Sequence, residues 1–287
     1  MELAYPFTAE HELSPDELTA ALGGKGAGLA AMTAAGLPVP PGFTLVTGAC
    51  RAFLADGWSP ELDRAVADGL EQLQTTTGKV LGDHDSPLLV SVRSGAAVSM
   101  PGMMDTVLNV GMTSDVERAL ARLSGDPEFA ADTHRRALLS FAEVVLGADP
   151  AILAQAGAMT TPAEVAAALA GAGFAVDPDP RSQITAAIRA VFESWTSPRA
   201  VRYRDIEGID SSIGTAVTVQ SMVFGNLGTE SGTGVALTRN PTTGDPGIMG
   251  DFLDQAQGED VVAGGRLTRP LSDMGAGWPD LYRQLEA

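Results

Sequence analysis

A lysine inside a run of glycines interrupts what would otherwise be one long N-terminal helix. Residues 15–36, PDELTAALGGKGAGLAAMTAAG, have helical composition on both sides of Gly23-Gly24-Lys25-Gly26-Ala27-Gly28. Glycine is costly inside a helix and permits backbone angles that other residues avoid. The run therefore predicts a break, followed by a helix from about Gly26 to Ala35.

The same run has two possible roles. A helix that starts at a glycine-rich break directs its first N–H groups at an anion, and Lys25 adds a positive charge. The run is not a Walker A loop, because no Ser or Thr follows the lysine. A phosphate-binding loop and a plain helix–helix turn explain the local pattern equally well.

The charge of the chain limits what can bind to it. Its 18 Lys and Arg residues and 36 Asp and Glu residues leave a formal charge of −18 at pH 7. Such a surface repels polyanions and anionic membranes, so we expect neither nucleic-acid binding nor basic membrane anchoring. A phosphate ligand would depend on a few local cations. Lys25 is notable in that respect, since Lys79 is the only other lysine.

Cysteine usage and hydropathy predict a soluble protein of the cytoplasm. The single cysteine, Cys50, cannot form an internal disulfide, and no Cys/His cluster predicts structural zinc. The N-terminus has no basic region followed by an apolar stretch, and no run of about 18 apolar residues occurs. His11 and His84 lie in acidic stretches and are not expected to be nucleophiles, and His134 is expected on a helix surface.

The residue pattern changes twice along the chain, from mixed strands and helices to helices and then to strands. This order predicts an α+β fold. Residues 1–111 contain strand signals in FTLV and LLVSV, and a helical face between residues 50 and 82 formed by Leu62, Val66, Leu70 and Leu73. Residues 112–200 are Ala/Leu-rich with helical spacing and are predicted to be an insert. Residues 201–287, with GTAVTVQSMVFGN, are predicted to be a hinge strand and a second lobe.

Two motifs in the first half of the chain could contact a nucleotide. Arg93 ends a buried strand in VSVRSGA, where its guanidinium could clamp phosphate oxygens, although a structural ion pair is the commoner role. In MPGMMDT, the methionines Met100, Met103 and Met104 are either core residues or a soft wall against a flat ring.

Two more motifs lie in the second half. The segment TESGTGVALTRNP (229–241) predicts a glycine-rich hairpin between two strands, which could fold over phosphates. In AQGEDVVAG, the side chains of Gln257, Glu259 and Asp260 could hold Mg²⁺ or a ribose. On an acidic protein such residues are more often simply solvated.

Together and in order, these motifs resemble the N-terminal nucleotide-binding domain of pyruvate, phosphate dikinase. The resemblance spans about residues 20–265. The matching stretches are GGKGAGLAAMTAAGLPVPPGFTL, VSVRSGAAVSMPGMMDTVLNVG, AVFESWTSPRAVRYR, GTAVTVQSMVFGNLGTESGTGVALTRNPTTG and AQGEDVVAG. The resemblance implies an ATP-grasp-like, two-lobed domain with a helical insert and an incomplete second lobe.

The resemblance also implies roles at matched positions. Lys25 and Arg93 would be catalytic residues that contact the ATP phosphates. The implied nucleotide contacts are Gly24, Met103, Gln220, Met222, Val223, Thr233, Gly234, Gln257 and Glu259. Mg²⁺ would accompany the ATP, with Asp251 and Glu259 as possible ligands and the main ligands expected beyond Ala287.

The departures from the family lead to three hypotheses. The family's GEFL motif is Gly250-Asp251-Phe252-Leu253 here, and the family's phosphate-accepting histidine domain does not occur before Ala287. The preferred hypothesis is a subunit of an ATP-dependent dikinase-type phosphotransferase, with the histidine on a separate partner chain. The others are a regulatory module that binds ATP without catalysis, and an inactive fragment with an exposed apolar edge. The final phosphate acceptor, pyruvate or another molecule, stays open.

Overall fold

The computed structural model describes residues 2–10, 13–262 and 266–286, so His11 lies outside the described residues. The chain forms two compact units, Met1–Met222 (unit 1) and Val223–Ala287 (unit 2). Both contain helices and strands, which confirms the α+β prediction. None of the described helices is both long and apolar enough to span a membrane.

Unit 1 contains most of the regular structure. Its strands are β1 (Ala4–Pro6), β2 (Gly42–Leu45), β3 (Val80–Leu81), β4 (Pro87–Leu88), β5 (Val90–Gly95), β6 (Thr106–Val110) and β7 (Ala216–Ser221). Its α-helices are α1 (Pro15–Ala34), α2 (Thr47–Asp56), α3 (Pro60–Thr77), α4 (Ser114–Ser124), α5 (Pro127–Val144), α6 (Pro150–Gly157), α7 (Pro162–Gly171), α8 (Pro180–Glu193) and α9 (Pro198–Glu207). Short 3₁₀ turns lie at Ser194–Thr196 and Ser211–Ile213.

An antiparallel sheet with the strand order β1-β2-β7-β5-β6 organises the described part of unit 1. Val92 lies opposite Val219 and Val107, and all three side chains are 0% exposed. Arg93, the next residue along β5, lies opposite Thr218 and Thr106. Because successive residues of a strand point to opposite faces, the sheet has one apolar face and one polar face that carries Arg93.

The apolar face packs against helices that the sequence predicted. In α3, the residues Leu62, Val66, Leu70 and Leu73 are at most 4% exposed, which confirms the predicted helical face. Ser59 caps the start of the helix, where its hydroxyl accepts the N–H of Leu62 at 3.2 Å. Gly78, with φ of 66°, caps its end. A Cβ on Gly69 would lie 2.8 Å from the Phe43 ring, so α3 packs closely on β2.

Residues 112–200 are largely helical, as expected, in α4 to α8. Helices α5 to α7 enclose a small core of their own, formed by Leu138, Ala142, Ala156, Val165 and Leu169, with Ala148 between α5 and α6. The predicted domain boundaries after residues 111 and 200 stay predictions. The boundary between the two units falls at Met222.

The expected surface position of His134 is wrong. His134 is 6% exposed, and its Nδ1 lies 2.6 Å from Oε2 of Glu117 on α4. The buried residues of α5 include Ala130, His134, Ala137 and Phe141, which recur at helical spacing. This stripe packs against α4 and β6, and the histidine is buried because it lies on the stripe.

Unit 2 is built around a hairpin. Its elements are β8 (Gly232–Arg239), β9 (Pro246–Asp254), α10 (Gly258–Val262), β10 (Arg269–Pro270), a 3₁₀ turn (Leu271–Asp273), α11 (Met274–Gly277) and α12 (Pro279–Glu286). In its described residues the strand order is β10-β9-β8. Phe252 of β9 packs against Leu271 and Met274.

The hairpin lies further along the chain than predicted. Thr233 and Gly234 lie inside β8, opposite Leu253 and Phe252, rather than in a turn. The chain reverses at Asn240–Asp245, where the N–H of Asn240 donates to the carbonyl of Asp245 at 2.9 Å. The alternation in GTGVALTR favours a strand, and the turn-forming residues are those of NPTTGD.

Candidate functional site

The glycine run forms a kink in α1 that packs backbone against backbone on β5. Gly23 has φ of 69° and ψ of 167°, outside the helical region, so α1 is broken at this residue. The N–H of Gly24 donates to the carbonyl of Ala96 at 3.0 Å, just after β5. A Cβ on Gly23 would lie 1.6 Å from the carbonyl oxygen of Gly95. Only glycine fits this position, both in conformation and in space.

The second half of α1 therefore starts above the polar face of the sheet. A Cβ on Gly26 would lie 2.8 Å from the Thr44 hydroxyl, which shows how closely the helix approaches β2. The Thr44 hydroxyl in turn lies 3.4 Å from that of Thr218 on β7. The first N–H groups of a helix have no partner within the helix, and they carry partial positive charge. The start of this helix can therefore attract an anion.

Lys25 and Arg93 are brought to the same end of the sheet. A Cβ on Gly95 would lie 3.4 Å from Cβ of Lys25, and Arg93 is two residues before Gly95 on β5. Lys25 is exposed as a whole residue, but partial burial of its ammonium group, and then repulsion by Arg93, lower its pKa to about 8. Two positive charges beside a helix start form an arrangement that an anion would stabilise.

The lowered pKa of Lys25 predicts pH-dependent anion binding. Lys25 is charged below about pH 8 and neutral above it, so affinity for a polyphosphate anion should fall as the pH rises from 7 to 9. Calorimetric titration across this range measures the effect. Lys25→Arg, whose guanidinium stays protonated, should remove the fall. An equally steep fall in that variant would assign the titration to another group.

Met103 lies in the loop that follows β5. Met100 is 7% exposed and belongs to the main core of unit 1, while Met103 and Met104 are half-buried and pack against that core. Met100 is therefore a core residue, whereas Met103 and Met104 are core residues only in part. The same loop begins at Ala96, which accepts the hydrogen bond from Gly24, so it belongs to the same end of the sheet.

Gln220 and Met222 lie at the other end of β7. Gln220 is 9% exposed, and its Nε2 donates to the carbonyl of Pro40 at 2.9 Å. The N–H of Met222 donates to the carbonyl of Leu89 at 2.9 Å, and its side chain is half-buried. The Gln220 amide therefore holds the segment before β2 as well as lying on the polar face.

The remaining predicted contacts lie in unit 2. Val223 is 72% exposed, and Gly234 and Glu259 are exposed. Gln257 is 4% exposed, and neither polar atom of its amide has a hydrogen-bond partner in the described part of the chain. A Cβ on Gly258 would lie 3.7 Å from the Thr233 hydroxyl, so the start of α10 lies beside β8.

The described residues do not form a ready metal site. Among them, no group of three or more His, Cys, Asp or Glu side chains is placed to hold a metal ion. Asp251 is exposed on β9, opposite Val235, and Glu259 is exposed on α10. These donors do not fit Mg²⁺ on their own, since it requires near-octahedral oxygen ligation.

Sequence reasoning missed the threonines beside Arg93. Thr44, Thr106 and Thr218 lie on the polar face, and Thr44 and Thr218 are at most 1% exposed. The sequence does indicate a polar strand face, because AVTVQ alternates apolar and polar residues over β7. What the alternation could not show is that three strands align their polar residues with Arg93.

Comparison with known proteins identifies one family over most of the chain. A family model described as pyruvate phosphate dikinase, AMP/ATP-binding domain, matches residues 19–82 and 55–269. The matched residues include the α1 kink, β5 and the hairpin of unit 2.

Curated relatives of the chain are named pyruvate, phosphate dikinase. The pyruvate, phosphate dikinase of Rhizobium meliloti (strain 1021) is 46% identical over 276 residues, which cover 88% of this chain and 30% of the relative. The chloroplastic enzyme of Mesembryanthemum crystallinum is 46% identical, covering 92% of this chain and 30% of the relative. The enzyme of Giardia intestinalis is 44% identical, and the match covers 97% of this chain and 34% of the relative. The chain thus spans about a third of the length of these relatives.

Proposed function

The chain belongs to the family of the pyruvate phosphate dikinase AMP/ATP-binding domain, and on that premise we propose that it holds ATP for phosphoryl or pyrophosphoryl transfer to a histidine on a separate chain. In this proposal the phosphates meet Lys25, Arg93 and the N–H groups that follow the α1 kink. The observation that carries it is the contact of Gly23 with Gly95, because it brings both cations and the helix start to one end of the sheet.

Catalysis in this proposal is electrostatic. Lys25 and Arg93 neutralise charge on the transferring phosphoryl oxygens, and the backbone N–H groups orient the phosphate chain. Arg93 lies on a strand that is paired on both sides, and Lys25 lies on a helix whose kink is held by backbone contacts, so little reorganisation is needed. The arrangement also explains how a chain with a charge of −18 can bind a polyphosphate.

The proposal keeps the other nucleotide contacts that the resemblance to the family implies, in an ATP-grasp-like domain. Met103, Gln220 and Met222 contribute from unit 1. The contacts proposed in unit 2 are Val223, Thr233, Gly234, Gln257 and Glu259. The Gln257 amide supports this part. It has no hydrogen-bond partner among the residues that the structure describes, and such a buried polar group costs about 1–3 kcal/mol, which a ligand would offset. Mg²⁺ enters the proposal only with the nucleotide, and no step is derived through it.

Calorimetric titration with Mg·ATP tests the proposal. We expect the wild-type chain to bind, and Lys25→Ala to bind about tenfold more weakly, because one charge-assisted contact is lost. Lys79→Ala is the matched control, since Lys79 is the other lysine of the chain and is exposed. Equal weakening by both substitutions would mean that only overall charge matters. A folded wild-type chain that does not bind would contradict the proposal.

Transfer to a histidine is tested by labelling. Incubation with ATP labelled in the β-phosphate, together with a polypeptide that carries the family's histidine domain, should yield an acid-labile label on that polypeptide. One observation favours a second candidate, a module that binds ATP without catalysis: no group of three or more metal-ligating side chains is assembled among the described residues. That candidate predicts Mg·ATP binding with no label transferred.

A further inference from the structure

The loop between β5 and β6 is held at both of its ends. At its start, the carbonyl of Ala96 accepts the N–H of Gly24 from the α1 kink at 3.0 Å. At its far end, the segment Pro101–Asp105 meets the junction between α8 and α9. This far end carries Met103, which we placed beside the nucleotide.

Arg199, near the start of α9, makes the contacts at the far end. Its Nε donates to the carbonyl of Met103 at 3.1 Å, and its Nη2 donates to the carboxylate of Asp105. Next to it, the hydroxyl of Ser194 accepts the N–H of Asp105 at 3.3 Å. A planar guanidinium directs its N–H groups at two acceptors in a fixed fork, a geometry that the compact ammonium of lysine does not reproduce.

Arg204, a second arginine on α9, has a purely structural role and serves as a comparison for Arg199. Arg204 is 2% exposed, its guanidinium lies 3.9 Å from the ring centre of Trp195, and its Nη1 donates to the carbonyl of Trp195 at 2.7 Å. Arg199, by contrast, has a side chain that is 53% exposed, and its hydrogen bonds with the described residues go to Met103 and Asp105 of the loop. An ion pair that is half exposed adds little to stability. Its effect is to fix where the loop lies.

We propose that Arg199 is a positioning residue for nucleotide binding: it holds Pro101–Asp105 so that Met103 packs against the nucleoside part of ATP. The inference rests on the proposed function. It adds a link from the helical region to the nucleotide, through a residue that does not touch the phosphates. The phosphate contacts at Lys25 and Arg93 depend on the other end of the loop and should not need Arg199.

Two measurements on the full chain test the inference. In hydrogen exchange of the ligand-free protein, Arg199→Ala should make the amides of residues 100–105 exchange about tenfold faster, because their anchor is lost. In calorimetry, the same variant should bind Mg·ATP about five- to tenfold more weakly, yet bind inorganic tripolyphosphate within about twofold of wild type. In both measurements, Arg199→Lys should lie between wild type and Arg199→Ala, since it keeps the charge but not the planar fork of the guanidinium.

Arg202→Ala is the matched control, because Arg202 is exposed on the same helix and its loss changes the charge equally. It should leave both measurements unchanged. Unchanged exchange of residues 100–105 in Arg199→Ala would overturn the inference, as would equal weakening of ATP and tripolyphosphate binding. If the wild-type chain binds neither ligand, the proposed function has failed and the inference falls with it. The exchange data still show whether Arg199 holds the loop.

Discussion

Gly23→Ala should destabilise unit 1 by at least about 3 kcal/mol and abolish Mg·ATP binding. Gly23 has φ of 69°, where an alanine is strained, and a Cβ there would lie 1.6 Å from the carbonyl oxygen of Gly95. Neither group can move alone, because both belong to the backbone. The kink must therefore separate from β5, which breaks the hydrogen bond from Gly24 to Ala96. Urea denaturation followed by circular dichroism measures the loss.

Gly28→Ala is the control for this prediction. Gly28 lies in the same helix, has no atom within 4 Å of an added Cβ, and is helical. Alanine at this position should stabilise the helix by about 0.5–1 kcal/mol, because glycine is unfavourable in a helix interior. If the two variants were equally stable, the contact between Gly23 and Gly95 would not be needed for the fold. In that case the kink could not be the basis of the phosphate site.

Arg93→Lys should weaken Mg·ATP binding by about 30-fold, close to the loss caused by Arg93→Met. A bidentate contact to phosphate contributes about 1.5–3 kcal/mol, and lysine restores the charge but not the paired geometry. Arg93 lies opposite Thr218 and Thr106 on the polar face, so neither substitution changes the apolar face of the sheet. Calorimetry of the three proteins at one pH and ionic strength measures the difference.

Thermal unfolding of the Arg93 variants separates binding from folding. Both variants should retain the sheet, because the apolar face formed by Val92, Val107 and Val219 is unchanged. An Arg93→Lys protein that binds Mg·ATP as tightly as wild type would show that charge alone is required. The bidentate clamp would then be ruled out, and Arg93 would act on the phosphates only as a positive charge.

Local patterns predicted the elements around the site well. The break in α1, the buried face of α3 and the strand that ends near Arg93 all follow from residue spacing and from the backbone freedom of glycine. The predicted position of the hairpin in unit 2 is wrong, because the glycines of SGTGV are typical of a turn when read locally. In the structure they form part of a strand, where Gly234 lies opposite Phe252.

Long-range contacts were beyond the reach of local patterns. His134 was expected at the surface because its immediate neighbours are polar, yet the helix stripe on which it lies is buried against α4 and β6. The contacts of Arg199 with Met103 and Asp105 join residues more than 90 positions apart. Nothing in the composition of either segment indicates the other.

Residue order and spacing are enough to identify the family, the helical or extended state of most segments and the residue types available to a phosphate. These depend on neighbours along the chain, which the sequence shows directly. The packing of Gly23 on Gly95, the face that Arg93 shares with three threonines and the contact of Arg199 with the loop after β5 became visible only in three dimensions. Those contacts depend on strand register and on close packing between distant segments, and each is specified by the whole fold rather than by local residues.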